Sequence, residues 1–232
     1  MISLPLDCTA LDAAIVDLDG TMVDTMGDFV QVLNLMLDDL ALPHIAPAAI
    51  APMVGRGSEH LLRLVLNHAI AQQTRALAAP EIEALNLRAW PIYQQHYLRI
   101  NGQFASVYAG VPEGLQALRD AGLRLACVTN KPMSFALPLL RAKGLDGFFD
   151  HVFGGDSFEK KKPDPLPLLK TCEALGTTPA RTLMIGDSSN DAQAARAAGC
   201  PVVLTTYGYN HGLPVRDVDA DGWVDSLVDL WA

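Results

Sequence analysis

The chain has 232 residues, half of them hydrophobic and 19% charged, with a formal net charge of -9. That apolar content supports a real hydrophobic core and excludes a disordered or fibrous chain. The acidic balance excludes a general nucleic-acid binder, which needs clustered cations against phosphate. No apolar run is long enough to cross a bilayer, and Asp7 and Asp12 stand where a signal peptide would be apolar. Cys8, Cys127, Cys172 and Cys200 form no C-x-x-C pair, which speaks against a zinc site or disulfide framework. A cytoplasmic protein with neither nucleic-acid nor membrane partners is expected.

In chain order, Ala13-Ala14-Ile15-Val16 is a short apolar run that stops abruptly at Asp17-Leu18-Asp19-Gly20-Thr21, the pattern of a buried strand. Helical periodicity follows. Phe29, Leu33, Met36, Leu37 and Leu40 share one helical face. Leu61, Leu62, Val65, Leu66 and Ala69 share a second, with Ser58 as its N-cap. Ile82, Leu85, Ile92 and Tyr93 suggest a third helix, bent at Pro91. Strand-like runs return at 123–129, 182–185 and 201–205. Helices that open near Pro112, Pro165 and Ser189 and close at Gly122, Gly176 and Gly199 separate them. Strands alternating with helices read as βαβ units, hence an α/β protein with a parallel sheet covered on both faces. The helical stretch from about 25 to 105 is an insertion into it.

The residues with chemistry sit at strand ends. Asp17 and Asp19 follow the first strand, Thr129-Asn130-Lys131 follow the run ending at Val128, and Asp187 follows Leu183-Met184-Ile185-Gly186. Open α/β sheets bind ligands in the crevice beyond the carboxyl ends of their strands. Carboxylates gathered there repel one another unless a cation joins them, and an oxygen-rich ligand set of this kind selects Mg²⁺. Taken singly, each aspartate has a plainer role; Asp187 before Ser188 and Ser189 also suits a helix N-terminus. The six histidines form no HxH or HExxH arrangement and receive no metal role. Residues 207–211 read as a Gly-containing loop.

Four segments in order, Asp17-Leu18-Asp19-Gly20-Thr21, Thr129, Lys162-Pro163 and Gly186-Asp187-Ser188-Ser189-Asn190-Asp191, resemble the motifs of the haloacid dehalogenase superfamily of phosphatases. Val54-Gly55-Arg56-Gly57, Val128-Thr129-Asn130-Lys131-Pro132, Lys161-Lys162-Pro163-Asp164-Pro165 and Tyr207-Gly208-Tyr209-Asn210 extend the resemblance towards the bacterial phosphoglycolate phosphatases. The resemblance implies a Rossmann-like parallel-sheet core over 1–23 and 107–232 with an inserted helical cap over 24–106. It also implies Mg²⁺ as cofactor, ligated in part by the backbone carbonyl of Asp19, and a small phosphorylated acid, 2-phosphoglycolate, as substrate. The chain is expected to act as a monomer or homodimer.

The residue types suit that chemistry. Asp17 is the natural nucleophile towards phosphorus, and Asp19, two residues on, can protonate the leaving alkoxide and later deprotonate water. Asp17 and Asp187 would hold Mg²⁺, while Asp191, one turn on, would orient a water on the ion. Thr129, Asn130 and Lys162 are candidate phosphate ligands. Lys131 is left open between surface and site. In the insertion, Arg56 between two glycines either reads the substrate carboxylate or points to solvent. A phosphatase of a sugar phosphate or pyrophosphate is the alternative. Asp19 disfavours a dehalogenase, since a departing halide needs no acid, and an inactive binding module has no use for a nucleophile.

Overall fold

The computed structural model describes residues 10–73 and 77–231; Cys8 and Asp7 lie outside the described residues. The elements are β1 (Ala13–Val16), β2 (Val23–Asp24), α1 (Met26–Asp39), α2 (Pro47–Ile50), α3 (Ser58–Ala71), α4 (Ala79–Ile100) and β3 (Ser106–Val107). Next come α5 (Val111–Asp120), β4 (Arg124–Val128), α6 (Met133–Ala142), β5 (His151–Phe153) and α7 (Leu166–Leu175). β6 (Thr182–Gly186), α8 (Ser189–Ala198), β7 (Val202–Thr205) and β8 (Gly222–Val224) complete the set.

Six strands form one sheet in the order β5-β4-β1-β6-β7-β8, and every neighbouring pair is parallel. Alternate side chains divide between its faces, as the pleat requires. Ala14, Val16, Leu125, Cys127, Leu183 and Ile185 join the cluster on one face; Ile15, Val128 and Met184 join the other. Both faces are buried, so the strands read as continuous apolar runs rather than alternating ones. The expected helix ends at Gly176 and Gly199 are present, both left-handed as a closing glycine allows.

Two details differ from the sequence expectation. Gly57, not Ser58, is the residue before α3, because its φ of 87° makes a turn open to glycine and Ser58 already lies inside the helix. The strands β5 and β8 and the helix α6 join the expected elements, each too short or too proline-marked to show periodicity.

α1, α3 and α4 pack on one another through a separate cluster that includes Leu33, Met36, Leu66, Tyr93 and Tyr97. Phe135 of α6 belongs to that cluster too, its ring edge-on to Tyr97 at 4.7 Å. The two chain segments that join the helices to the sheet run side by side as the antiparallel pair β2–β3. Asp28, fully buried, accepts hydrogen bonds from the N–H groups of Gly102 (2.6 Å) and Phe104 (2.8 Å). One carboxylate thus ties the start of α1 to the chain leaving α4. Asp28→Ala removes the buried charged acceptor of two backbone N–H groups, so unfolding in urea should show a loss of about 2–4 kcal/mol. A loss under about 1 kcal/mol would mean that the crossing is held by packing alone.

Candidate active site

β1 lies between β4 and β6, so the residues that follow these three strands become neighbours at the carboxyl edge of the sheet. Asp17 follows β1, Thr129 follows β4 and Asp187 follows β6. The loop before α7 brings Lys162 beneath them, only 3% exposed. Its ammonium donates to Val128 O (2.7 Å) and Asp191 Oδ1 (2.7 Å) and lies 2.8 Å from Asp17 Oδ1. The last contact is an ion pair outside hydrogen-bond alignment, and it leaves that buried Asp17 oxygen with no hydrogen-bond donor. Burial alone would lower the basicity of Lys162, but Asp17 and Asp191 outweigh it and keep the ammonium charged.

Asp191 uses its second oxygen locally. That oxygen accepts from Ser188 Oγ (2.9 Å) and from the N–H groups of Ser188 (3.2 Å) and Asp187 (3.3 Å), closing the first turn of α8. Asp187 is held between backbones: a Cβ at Gly20 would sit 2.3 Å from its Oδ2, and one at Gly208 2.2 Å from its Cβ. The N–H of Tyr209 donates to Asp187 Oδ2 at 2.7 Å. The loop 207–211 is therefore part of the site. Tyr209 also donates its hydroxyl proton to Asp24 Oδ1 (2.8 Å), linking that loop to the chain entering α1.

Asp17, Asp187 and Asp191 offer oxygens that all lie within 4.8 Å of one another, and all three residues are buried. Burial pushes Asp17 up from 3.8 to about 7, with Lys162 opposing and Asp191 adding to the rise. Asp187 is raised well above its ordinary value by burial first, then by Asp191 and Asp17. Three crowded acids share one ammonium, and one buried oxygen lacks a donor. An oxygen-seeking divalent cation fits this set.

Asp19 faces the same cavity. Both its oxygens are held by Lys131 Nζ, at 2.8 and 3.1 Å, and that ammonium lies over the rings of Phe29 (4.7 Å) and Tyr97 (5.0 Å). Lys131 is 3% exposed, so its open reading resolves to the site. Asn130 Nδ2 donates to Gly55 O (3.0 Å) and Lys162 O (2.8 Å), and Asn190 Nδ2 donates to the same Gly55 O (3.1 Å). Two asparagines, one just past β4 and one in the first turn of α8, thus grip the loop between α2 and α3. Thr129 lines the cavity, its Oγ1 accepting from the N–H of Lys131 (3.2 Å). Arg56 is exposed and does not line this cavity; it lies along an outer groove with His60, Arg63, Lys161 and Lys162. The narrow, partly open cavity over Asp17 and Asp19 measures about 30 Å³, room for only a couple of waters.

The native chain keeps a proton on Asp17 up to about pH 7, whereas the unfolded chain releases it near 3.8. The resulting stabilisation is complete below the unfolded value and lost as pH rises through the folded one. A divalent cation needs these groups deprotonated, so its effect runs the other way. Melts in chelator should fall in midpoint between about pH 5 and pH 7, and added divalent cation should restore most at the higher pH. At a hundredfold excess over Kd the gain is about 2.7 kcal/mol, on the order of 5–10 °C for a chain of this size. Asp187→Asn should abolish the cation-dependent rise; an equal rise in that variant would remove Asp187 from the cation site.

Known proteins share this arrangement of chain. A phosphoglycolate phosphatase of Thiobacillus denitrificans is 42% identical over 229 residues, covering 99% of this chain and 96% of the relative. Another of that name, from Nitrosospira multiformis, is 44% identical over 219 residues, 94% of this chain and 93% of its own. The crystal structure of "a predicted phosphoglycolate phosphatase" from Haemophilus somnus superposes with a TM-score of 0.88 at 32% identity, covering 95% and 96% of the two chains. The model of the haloacid dehalogenase-like hydrolase family matches residues 11–199, most of the sheet and all of the helical insertion. On the breadth of that match and the identity of these relatives, the chain belongs to the haloacid dehalogenase-like hydrolases.

Proposed function

We propose that the protein is a Mg²⁺-dependent phosphatase that hydrolyses 2-phosphoglycolate to glycolate and phosphate through a phosphorylated Asp17. The observation that carries this reading is the pair Asp17 and Asp19 lining one narrow cavity, with Asp187 beside them. The relatives above bear the matching name. A cavity so small must widen for any phosphate ester, and a two-carbon ester asks less movement of the helical insertion than a sugar phosphate does. In this reading 1–23 and 107–232 form the catalytic core and 24–106 the cap.

The proposed reaction has two displacements. A carboxylate oxygen of Asp17 bonds to phosphorus as the ester P–O bond breaks, and Asp19 passes its proton to the departing glycolate oxygen. Asp19 then takes a proton from water, whose oxygen attacks phosphorus and frees Asp17 and inorganic phosphate. Asp19 is thereby returned to its starting acid form. Mg²⁺, held by Asp17, Asp187 and the main-chain carbonyl of Asp19, would offset charge between carboxylates and phosphate. Lys162 opposes the protonation of Asp17 and aims its carboxylate, and Thr129 with the main chain at Asn130 cradles the phosphoryl oxygens. Asp191 fixes Lys162 and the start of α8. Enclosure by the Gly55 loop keeps bulk water from the phosphoryl group.

Phosphate release should be measured across a panel of phosphomonoesters and pyrophosphate with Mg²⁺ present. Phosphoglycolate should lead the panel; a sugar phosphate or pyrophosphate turned over faster would replace the substrate reading. Asp17→Asn should fold normally yet lose activity by on the order of 10³-fold or more. Chelation should silence the wild type, Mg²⁺ should restore it, and Ca²⁺ should inhibit through its looser, higher coordination.

A further inference from the structure

The geometry points to Lys131 as the residue that selects the substrate by its carboxylate, an inference that rests on the phosphoglycolate reading above. The cavity over Asp17 is lined by residues of both sheet and insertion, and among the described residues Lys131 is its one cationic side chain. Arg56, the cation that the sequence offered, is exposed and lines the outer groove instead. Lys162 faces Asp17 and Asp191 from beneath. A carboxylate carried in among side chains this buried needs a cation at hand, since an unpaired buried charge is costly.

The position of Lys131 relative to Asp19 makes the assignment specific. The acid that protonates the leaving group must touch the ester oxygen of the substrate. In phosphoglycolate one carbon separates that oxygen from the carboxylate, so the carboxylate is delivered to the immediate neighbourhood of Asp19. Lys131 Nζ is that neighbour, 2.8 Å from Asp19 Oδ1. Among the described residues its hydrogen bonds go to Asp19 alone. An ammonium has three protons on a compact centre, enough for Asp19 on one side and a second carboxylate on the other.

The seat of this ammonium is built by both parts of the chain. Its stem leaves the end of β4, while the rings of Phe29 on α1 and Tyr97 on α4 lie beneath the charge. With the insertion lifted, the ammonium loses its aromatic floor. Carboxylate recognition and closure are therefore one event, and an ester without a carboxylate gains less from closing.

The test compares phosphoglycolate with 2-hydroxyethyl phosphate, which has a neutral hydroxyl in place of the carboxylate. kcat and KM are measured separately for the wild type, Lys131→Met, Lys131→Gln and Arg56→Ala, each checked for folding by its melting midpoint. The wild type should prefer phosphoglycolate. Lys131→Met should lose on the order of 10- to 100-fold more in kcat/KM on phosphoglycolate than on the neutral ester, the difference mostly in KM. Lys131→Gln keeps an N–H for Asp19 without the charge, so it should lose the preference as well and decides the matter if the Met variant does not fold. Arg56→Ala should keep the preference. Equal losses on both esters in the Lys131 variants would reduce Lys131 to a partner of Asp19, and a preference lost in Arg56→Ala would move the reader to Arg56. A wild type indifferent to the two esters would overturn the substrate reading itself, and this inference with it.

Discussion

The crowding of carboxylates around one buried ammonium governs the whole site. Lys162 sits among Asp17, Asp191 and the Val128 carbonyl, 3% exposed, and three acidic side chains converge where a single positive charge is available. Like charges in a medium of low dielectric raise one another's proton affinity, and burial adds to this at Asp17 and Asp187. The arrangement is stable only if a proton or a further cation completes it. Asp191 is the member with every oxygen engaged by protein donors, so it acts as a strut. Asp17 and Asp187 retain the capacity to meet something else.

The same economy of residues joins the helical insertion to the sheet. Gly55 O is held by Asn130 from the end of β4 and by Asn190 from the first turn of α8. Tyr209 touches Asp187 with its N–H and Asp24 with its hydroxyl, and Phe135 reaches from α6 into the aromatic cluster of α1 and α4. Of these residues, Gly55, Asn130 and Tyr209 line the cavity themselves. Closing the insertion therefore positions the site, and a ligand that disturbs the site loosens the insertion. Small residues make this approach possible: a side chain at Gly186 would collide with Asp191, and one at Gly208 with Asp187.

What the sequence made legible was local in origin. Ala13–Val16 and 182–185 announce themselves because both faces are buried and no polar residue interrupts them, so Asp17 and Asp187 are marked as strand-end residues. Gly176 and Gly199 mark helix ends because the left-handed turn there favours glycine. The illegible parts depend on distant partners. Lys131 reads as an ordinary lysine until α1 and α4 supply Phe29 and Tyr97, far away in the chain. Arg56 lies between glycines in a suitable loop, but the turn at Gly57 carries it outward. Residues 207–211 show no periodicity, and their place against Asp187 comes from the sheet order that sets β7 beside β6. α6 was hidden by Pro138, which lies inside it.

The central claim is that this crowded edge presents Asp17 to phosphorus. Its most direct test is a rapid acid quench of the wild-type protein turning over phosphoglycolate with Mg²⁺, followed by peptide mass spectrometry. The account predicts a phosphoryl group on the peptide that contains Asp17, placed on that side chain by fragmentation and absent when substrate is withheld. Turnover with no phosphorylated peptide at any quench time, or a phosphoryl group on another residue, would contradict it.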